Sequence, residues 1–420
     1  MLAAPGGPLG LLARTTTFEA LRFREFRLLW IGQLGSSMGQ QMDTVTRGWL
    51  IYDLTGSALQ LGLINLMRLF PFLFLGPLAG TAADRYGRKT QLMVDQLSNA
   101  VLNFILAALV ITGHVQPWNV YVTGFLVAVL QVFQQPARQA MVPEAVDRAH
   151  LTNAIGLNSM AFNGSRTIGP AVSGVIIFFV GTGGSYLLQG VIYVLTSQWT
   201  MQLRLPNKPP MRAAGVNATS TSVMASTLEG WRYIVHDPPI RTGMVIQYTS
   251  QLLGFPFVAL LPIFARDVLH TGPDGQGLLL TAMGIGAFGS AALVASIGDR
   301  LPKGYLMIGG VMAFGIGLIA FSQSLLFPLS LVLMLLVGIC NVYSGALVQT
   351  VVQAKSPPEL RGRIIGVFQQ GQVLFQLGGF LTGLTASHIG AQRTVELMGA
   401  SLVVCAAAIF VGMPTVRTIR

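Results

Sequence analysis

A cluster of ionisable and polar residues interrupts an otherwise apolar stretch near the start of the chain. Gln33, Gln40 and Arg47 follow one another at intervals of seven residues, and Asp43 lies between Gln40 and Arg47. On a helix, this spacing places all four side chains on one face, which cannot point at lipid and is expected to line a cavity. Asp43 beside Arg47 either takes up and releases a proton or forms a permanent ion pair that anchors the helix. The spacing leaves both interpretations open.

Two more arginines, Arg68 and Arg166, lie in similar apolar surroundings. Each is a candidate counter-ion for Asp43, a candidate site for an anionic substrate, or a member of a purely structural pair. A series of amides predicts the lining of a substrate cavity, with bridging between helices as the alternative. These amides are Gln33, Gln40, Asn158, Asn163, Gln247, Gln251, Asn341, Gln369, Gln372 and Gln376. The charged residues of this set lie in the first half of the chain, and the second half contributes amides and aromatic rings. A cavity with these two kinds of wall suits a sizeable organic substrate better than a bare ion.

The composition identifies the elements that must position these residues. Hydrophobic residues make up 52% of the 420 residues and charged residues only 10%, whereas a soluble protein carries about 25% charge. We therefore predict an all-α membrane protein with twelve transmembrane helices. The predicted spans lie near 28–52, 58–82, 90–112, 117–137, 153–180, 184–204, 239–266, 274–298, 303–323, 325–350, 362–387 and 392–414.

The distribution of basic residues predicts the orientation of these spans. With the N-terminus inside, most of the 26 Lys and Arg residues fall in cytoplasmic segments, and the outer loops hold only Arg266 and Arg393. The rule that cytoplasmic loops are positively charged then places both termini in the cytoplasm. The net charge of +11 reflects this topology, because no basic run or aromatic–basic platform indicates nucleic-acid binding.

An internal repeat divides the chain into two similar halves. Thr55-Gly56 recurs as Thr271-Gly272, and Asp84-Arg85 recurs as Asp299-Arg300, with offsets of 216 and 215 residues. This pattern predicts two parallel six-helix bundles around a central cavity. The predicted domains are an N-terminal tail (1–24), a first bundle (25–204), a cytoplasmic linker (205–238) with an interfacial helix near 222–236, a second bundle (239–414) and a short tail (415–420).

The loop between the second and third predicted spans contains a recognisable motif. It reads G-x-x-x-D-R-x-G-R-K and comprises Gly80, Asp84, Arg85, Gly87, Arg88 and Lys89, with Asp95 following in the next span. This loop resembles the signature of the major facilitator superfamily. The resemblance implies that the charged cluster, with Asp95 in reach, latches the cytoplasmic side in the outward-open state.

Longer stretches resemble one branch of that superfamily. FRLLWIGQLGSSMG, QQPARQAMVPE and LTNAIGLNSMAFNGSRTIGPAVSG are similar to bacterial exporters of the enterobactin-exporter type, the transmembrane secretion effector group. Gly169, Pro170 and Gly174 resemble the antiporter signature, in which Gly-Pro kinks the fifth helix. The alternative is a proline-kinked helix in a protein that is not an antiporter.

These observations predict a proton-coupled exporter of small organic molecules, such as siderophores or drugs, in the bacterial inner membrane. The alternatives are a uniporter or importer of the same fold, or a membrane scaffold or sensor that does not transport. The sequence lacks the G-x-x-x-x-G-K-[ST] loop for ATP and has no metal-ligand spacings. We therefore expect no enzymatic activity, cofactor, metal or nucleic-acid partner. The expected partners are lipid, protons and substrate, and the resemblance implies a monomer.

Overall fold

The described part of the chain is built from helices joined by short turns. A computed structural model describes residues 16–85, 87–205, 223–297, 303–357 and 360–418, and these contain no β-strand, as the sequence predicted. The longer helices are α1 (Arg24–Thr55), α2 (Ala58–Arg85), α3 (Arg88–Ile111), α4 (Pro117–Met141), α5 (Leu151–Met201), α6 (Val223–His236), α7 (Pro238–Val268), α8 (Gly272–Ile297), α9 (Lys303–Gln323), α10 (Phe327–Lys355), α11 (Arg361–Gln369), α12 (Gly371–Ile389) and α13 (Ala391–Gly412).

Many of these helices can cross a membrane. Within the described residues, seven helical segments are long and apolar enough to span a bilayer. They are Ala58–Gly76, Arg88–Ile111, Pro117–Glu144, Arg148–Met201, Pro238–Val268, Lys303–Gln323 and Ala391–Gly412. The chain is therefore a multi-pass membrane protein.

Helix α5 is a hairpin of two arms rather than a single rod. A straight helix of its 51 residues would measure about 77 Å, far more than the bilayer core of about 30 Å. The chain reverses at Gly181, whose φ of 73° and ψ of 178° leave the helical region. After the reversal the hydroxyls of Ser173 and Ser185 lie 3.4 Å apart. Pro170 keeps helical backbone angles, and the break at Gly181 falls in the predicted connection between the spans 153–180 and 184–204.

Helix α1 packs into the groove between the two arms of α5. The hydroxyl of Thr46 lies 2.9 Å from that of Ser173 and 2.8 Å from that of Ser185. Gln189 of the second arm donates a hydrogen bond of 3.1 Å to the same Thr46 oxygen. All four polar groups are buried. Interhelical hydrogen bonds of this kind replace the water that a membrane interior lacks, and they hold α1 in register with α5.

The two halves of the molecule meet through glycines. A Cβ atom on Gly277 of α8 would lie 2.7 Å from the carbonyl oxygen of Pro170 and 3.0 Å from Cα of Gly174. On the other side of the cavity, a Cβ on Gly62 of α2 would lie 2.9 Å from the carbonyl oxygen of Phe380. Only glycine permits backbones to approach this closely.

These two crossings follow the sequence repeat. Gly277 lies 215 residues after Gly62, which is the separation between Asp84 and Asp299. Helix α2 packs against α12, and helix α8 packs against α5. Gly62 and Gly277 therefore occupy equivalent positions in the two repeats, and each allows a close helix crossing between the halves.

Polar contacts also join the halves at one end of the molecule, which we call the closed end. The Tyr52 hydroxyl donates a hydrogen bond to the carboxylate of Asp267, and Arg266 donates one of 3.3 Å to Asp53. Arg266 also lies over the Tyr52 ring, with its Cζ atom 5.7 Å from the ring centroid. The closed end thus links the C-terminal end of α1 to the C-terminal end of α7.

Helix α6, which falls in the predicted linker, packs against α11. Arg363 forms an ion pair of 2.5 Å with Glu229. The Trp231 indole donates a hydrogen bond of 3.2 Å to Gln370, at the junction of α11 and α12. These contacts attach the segment to the second half of the chain.

Candidate functional site

A buried triad of charges lies beside the centre of the molecule. Asp43 is only 5% exposed, and its Oδ1 atom lies 2.8 Å from Nη2 of Arg47, one helical turn later. Its Oδ2 atom lies 2.6 Å from Nη2 of Arg68 on α2. Arg47 also donates hydrogen bonds of 2.8 Å to the carbonyl oxygen of Val120 and to the hydroxyl of Thr123 on α4. The triad therefore ties three helices of the first half together.

The triad borders a cavity of about 360 Å³ between the two halves. A volume of this size falls in the range of pockets that bind small organic molecules. Arg47, Arg68 and Arg166 line the cavity. Its remaining polar lining consists of Gln40, Gln41, Thr44, Asn65, Gln131, Gln135, Gln251, Gln276, Gln372 and Gln376. The cavity begins beneath the closed end, at Gly48 and Pro262, and extends towards the opposite end, at Phe72 and Gln135.

Aromatic and bent backbone segments form the wall contributed by the second half. Phe255 and Phe375 line the cavity from α7 and α12. Helix α7 widens into a π-type turn at Ser250–Gly254, immediately before Phe255. Wide turns of this kind are frequent at functional sites, because they redirect side chains that a regular helix would turn away.

The structure brings together only part of the predicted amide set. Gln40, Gln251, Gln372 and Gln376 line the cavity. The side chains of Asn163, Asn341 and Gln369 lie outside the described part of the structure.

Gln33, Asn158 and Gln247 lie outside the cavity lining. Gln33 is buried and donates a hydrogen bond of 2.7 Å to Ser37 on its own helix. At this level α1 packs closely on the second arm of α5, where a Cβ on Gly35 would lie 2.3 Å from the methyl group of Thr196. Of the predicted Gln33–Arg47 stripe, the cavity lining therefore includes Gln40 and Arg47 but neither Gln33 nor Asp43.

A second buried charged group lies between α3 and α4. Asp95 is 4% exposed and accepts a hydrogen bond of 3.0 Å from Asn99. Gln134 and Arg138 of α4 are its other polar neighbours. A small cavity of about 20 Å³ reaches Asp95 and shares Gln40 and Gln131 with the main cavity. That volume is sufficient for one water molecule.

This arrangement differs from the expected placement of Asp95 beside the basic loop. Arg88 pairs instead with Glu144 and donates a hydrogen bond of 3.1 Å to the carbonyl oxygen of Ala140. Lys89 donates hydrogen bonds of 2.8 and 2.7 Å to the carbonyl oxygens of Met201 and Leu203. These loop contacts are made within the first half of the chain. The side chains of Asp84 and Arg85 lie outside the described part of the structure.

Arg166 differs from the other two arginines of the cavity. Among the described residues, no carboxylate pairs with it. Its Cζ atom lies 5.7 Å from the ring centroid of Phe255 on the opposite half. Arg166 thus faces Phe255 across the boundary between the halves.

Comparison with known proteins gives consistent results over nearly the whole chain. A family model described as transmembrane secretion effector matches residues 15–418. The chain is 25% identical to the staphyloferrin A transporter of Staphylococcus aureus, over 93% of this chain and 94% of that protein. It is 27% identical to the multidrug efflux pump Tap of Mycolicibacterium fortuitum, over 87% and 90% of the two chains.

The fold is that of a solved transporter. A bacterial homologue of the human lysosomal transporter Spinster, in an inward-facing and unoccupied conformation, superimposes with a TM-score of 0.76. The alignment covers 97% of this chain and 99% of that chain, at 13% identity. The likeness at this identity concerns the fold alone.

Proposed function

Because the chain belongs to the transmembrane secretion effector family of major facilitator transporters, we propose that it is a proton-coupled exporter of small organic molecules working by alternating access. The chain is a membrane transporter and not an enzyme. Efflux is the activity of the multidrug pump Tap, to which the chain is similar. Proton coupling and the direction of transport are our proposal.

The Asp43 triad carries this proposal. Asp43 is a buried carboxylate at the edge of the cavity, and its two partners, Arg47 and Arg68, line that cavity. Ionisable groups inside a membrane are costly and occur where they do functional work. Protonation of Asp43 would release both guanidinium groups, and loss of the proton would draw them back. A proton can therefore change the charge and the shape of the cavity wall.

The conformation described here fits one step of such a cycle. Asp43 accepts hydrogen bonds from both arginines, as an ionised carboxylate does. The halves are joined at Tyr52 and Asp267, and the cavity extends away from that end. If both termini are cytoplasmic, as we propose, the closed end faces outwards. The structure then corresponds to the state that has released its proton inwards and can accept substrate from the cytoplasm.

We further propose twelve spans, a bacterial inner-membrane location and function as a monomer. The bias of Lys and Arg towards the predicted cytoplasmic segments supports the orientation. A fluorescent protein fused after Arg420 should fold and emit in the cytoplasm. A periplasmic phosphatase fused at the same point should be inactive. Active phosphatase there would contradict the orientation.

The coupling is tested in inverted membrane vesicles that contain the wild type or Asp43→Asn. A proton gradient, acidic inside, is imposed, and a panel of siderophores and dyes is added. Accumulation of a substrate together with dissipation of the gradient is expected for the wild type. In Asp43→Asn, substrate accumulation should no longer be coupled to dissipation of the proton gradient. The matched control is Asp53→Asn, which removes a carboxylate with 59% of its side chain exposed.

A uniporter or importer of the same fold is the second candidate, and one observation favours it. Both oxygens of Asp43 are bonded to arginines, which is the arrangement of a permanent ion pair. Asp43 would then be a permanent anchor for α1 and α2. Wild-type transport that does not follow the imposed proton gradient would select this candidate over the exporter.

A further inference from the structure

Arg166 is a cation of the cavity wall for which the described residues supply no anion. The sequence allowed it to neutralise Asp43, but Arg47 and Arg68 occupy both oxygens of that carboxylate. Its guanidinium lies over the ring of Phe255, which neutralises no charge. The role of counter-ion to Asp43 is therefore filled without Arg166.

The charge balance of the cavity points in the same direction. Three arginines line the cavity and no acidic residue belongs to its described lining. Asp43, just behind the wall, offsets one of those three positive charges. An uncompensated charge in a membrane interior is costly, and such residues mark the position of a charged ligand.

The other residues of the cavity that Arg166 lines suit an organic anion rather than an inorganic one. The Phe255 ring provides a flat apolar surface across the cavity, and Phe162 lines the same space. Gln251 and Gln276 add amide groups that can donate hydrogen bonds. A guanidinium binds a carboxylate or sulfonate through two parallel hydrogen bonds. A volume of about 360 Å³ accommodates an organic body beside that group.

We infer that Arg166 binds the carboxylate or sulfonate of an organic substrate, which assigns the transported molecules to the class of organic anions. The inference rests on the proposed transport function, because it assigns the cavity to substrate. The inference places the substrate and the proton at different residues. Arg166 binds the charged group of the substrate, and Asp43 binds the proton. The two sites would then communicate through movement of the halves, at whose boundary Arg166 and Phe255 meet.

The test uses two dyes that share a xanthene ring and differ in charge. Full-length protein in lipid nanodiscs is titrated into carboxyfluorescein, which is anionic, and into tetramethylrhodamine ethyl ester, which is cationic. Fluorescence anisotropy reports binding without any proton gradient. The variants are Arg166→Gln, Arg166→Lys and, as a matched control, Arg393→Gln, which removes an exposed arginine outside the cavity lining.

We expect the wild type to bind the anionic dye more tightly than the cationic dye. Arg166→Gln should weaken binding of the anion by about tenfold or more. Arg166→Lys keeps the positive charge but cannot form the two parallel hydrogen bonds, so its affinity should fall between those of Arg166→Gln and the wild type. Arg393→Gln should match the wild type. The inference is overturned if the wild type does not prefer the anionic dye, or if Arg166→Gln binds that dye as the wild type does.

The dye titration tests the anion site and the vesicle assay tests proton-coupled export, and either one can fail without the other. Anion preference that depends on Arg166, without proton-driven movement in vesicles, would support the binding site and contradict coupled export. Proton-driven accumulation of cations alone would support export and overturn the anion site.

Discussion

Arg68 of α2 and Asp43 of α1 form a buried ion pair across two helices, with 2.6 Å between Nη2 of Arg68 and Oδ2 of Asp43. The second oxygen of the same carboxylate is bound by Arg47 of α1. One carboxylate therefore serves two guanidinium groups. Removing the carboxylate breaks two ion pairs, whereas removing one arginine breaks only one.

Removal of Asp43 should destabilise the protein more than removal of Arg68. Asp43→Asn leaves two arginines without a counter-ion, whereas Arg68→Gln leaves the Asp43–Arg47 pair intact. Loss of one partner from a buried pair costs about 3–5 kcal/mol, so Asp43→Asn should lower the melting temperature in detergent clearly. Arg68→Gln should lower it less. The reverse order would show that the three charges do not act as one unit.

Tyr52 should control how often the closed end opens. Its hydroxyl is bonded to Asp267 of the other half, and Asp267 is half exposed. Loss of the bond in Tyr52→Phe should cost about 1 kcal/mol and raise the open population roughly fivefold. The measurement is labelling of Thr44→Cys, in a Cys340→Ser and Cys405→Ser background, by an impermeant maleimide added outside cells. Labelling should increase in Tyr52→Phe.

Asp53→Asn serves as the control for that experiment. The Asp53–Arg266 pair is exposed at both ends, with 59% and 45% of the side chains accessible. Exposed ion pairs contribute little, so labelling should remain at the wild-type level. If Asp53→Asn increased labelling more than Tyr52→Phe, the contact of Tyr52 with Asp267 would not be the one that controls opening of the closed end.

The glycine crossing of α5 and α8 should be intolerant of any side chain. Gly277→Ala would place its methyl group 2.7 Å from the carbonyl oxygen of Pro170. The helices would have to separate, so we expect loss of transport and a shift away from the closed-end contacts. Gly289→Ala, on the same helix, meets no atom within 4 Å and should be harmless. Equal activity of the two variants would show that the close approach is not required.

Arg166→Gln should not destabilise the protein, in contrast to Asp43→Asn. Arg166 has no acidic partner among the described residues, so its removal breaks no ion pair. Removal of an uncompensated charge should leave the melting temperature unchanged or raise it, because binding sites are often kept at the expense of stability. A fall of several degrees would show that Arg166 has a structural partner.

The sequence by itself determined the class of the protein. An apolar composition with few charges requires helices in a membrane, because each helix satisfies its own backbone hydrogen bonds. The loop motif and the longer similar stretches indicated the family, and the family model matching residues 15–418 confirmed it. The spacing of Asp43 and Arg47 on one helix predicted their contact, which the structure contains. Each of these properties depends either on the residues of a single segment or on the composition of the whole chain.

Only the tertiary structure decided which charges meet. The sequence left Arg68 and Arg166 equivalent, yet Arg68 reaches Asp43 and Arg166 faces Phe255. Asp95 lies beside Arg138, and Tyr52 meets Asp267, 215 residues away. Contacts between helices depend on the rotation and tilt of each helix, which are set by packing against neighbours, as at Gly174 and Gly277. No spacing along one helix contains that information, because it arises only when distant segments are brought into contact.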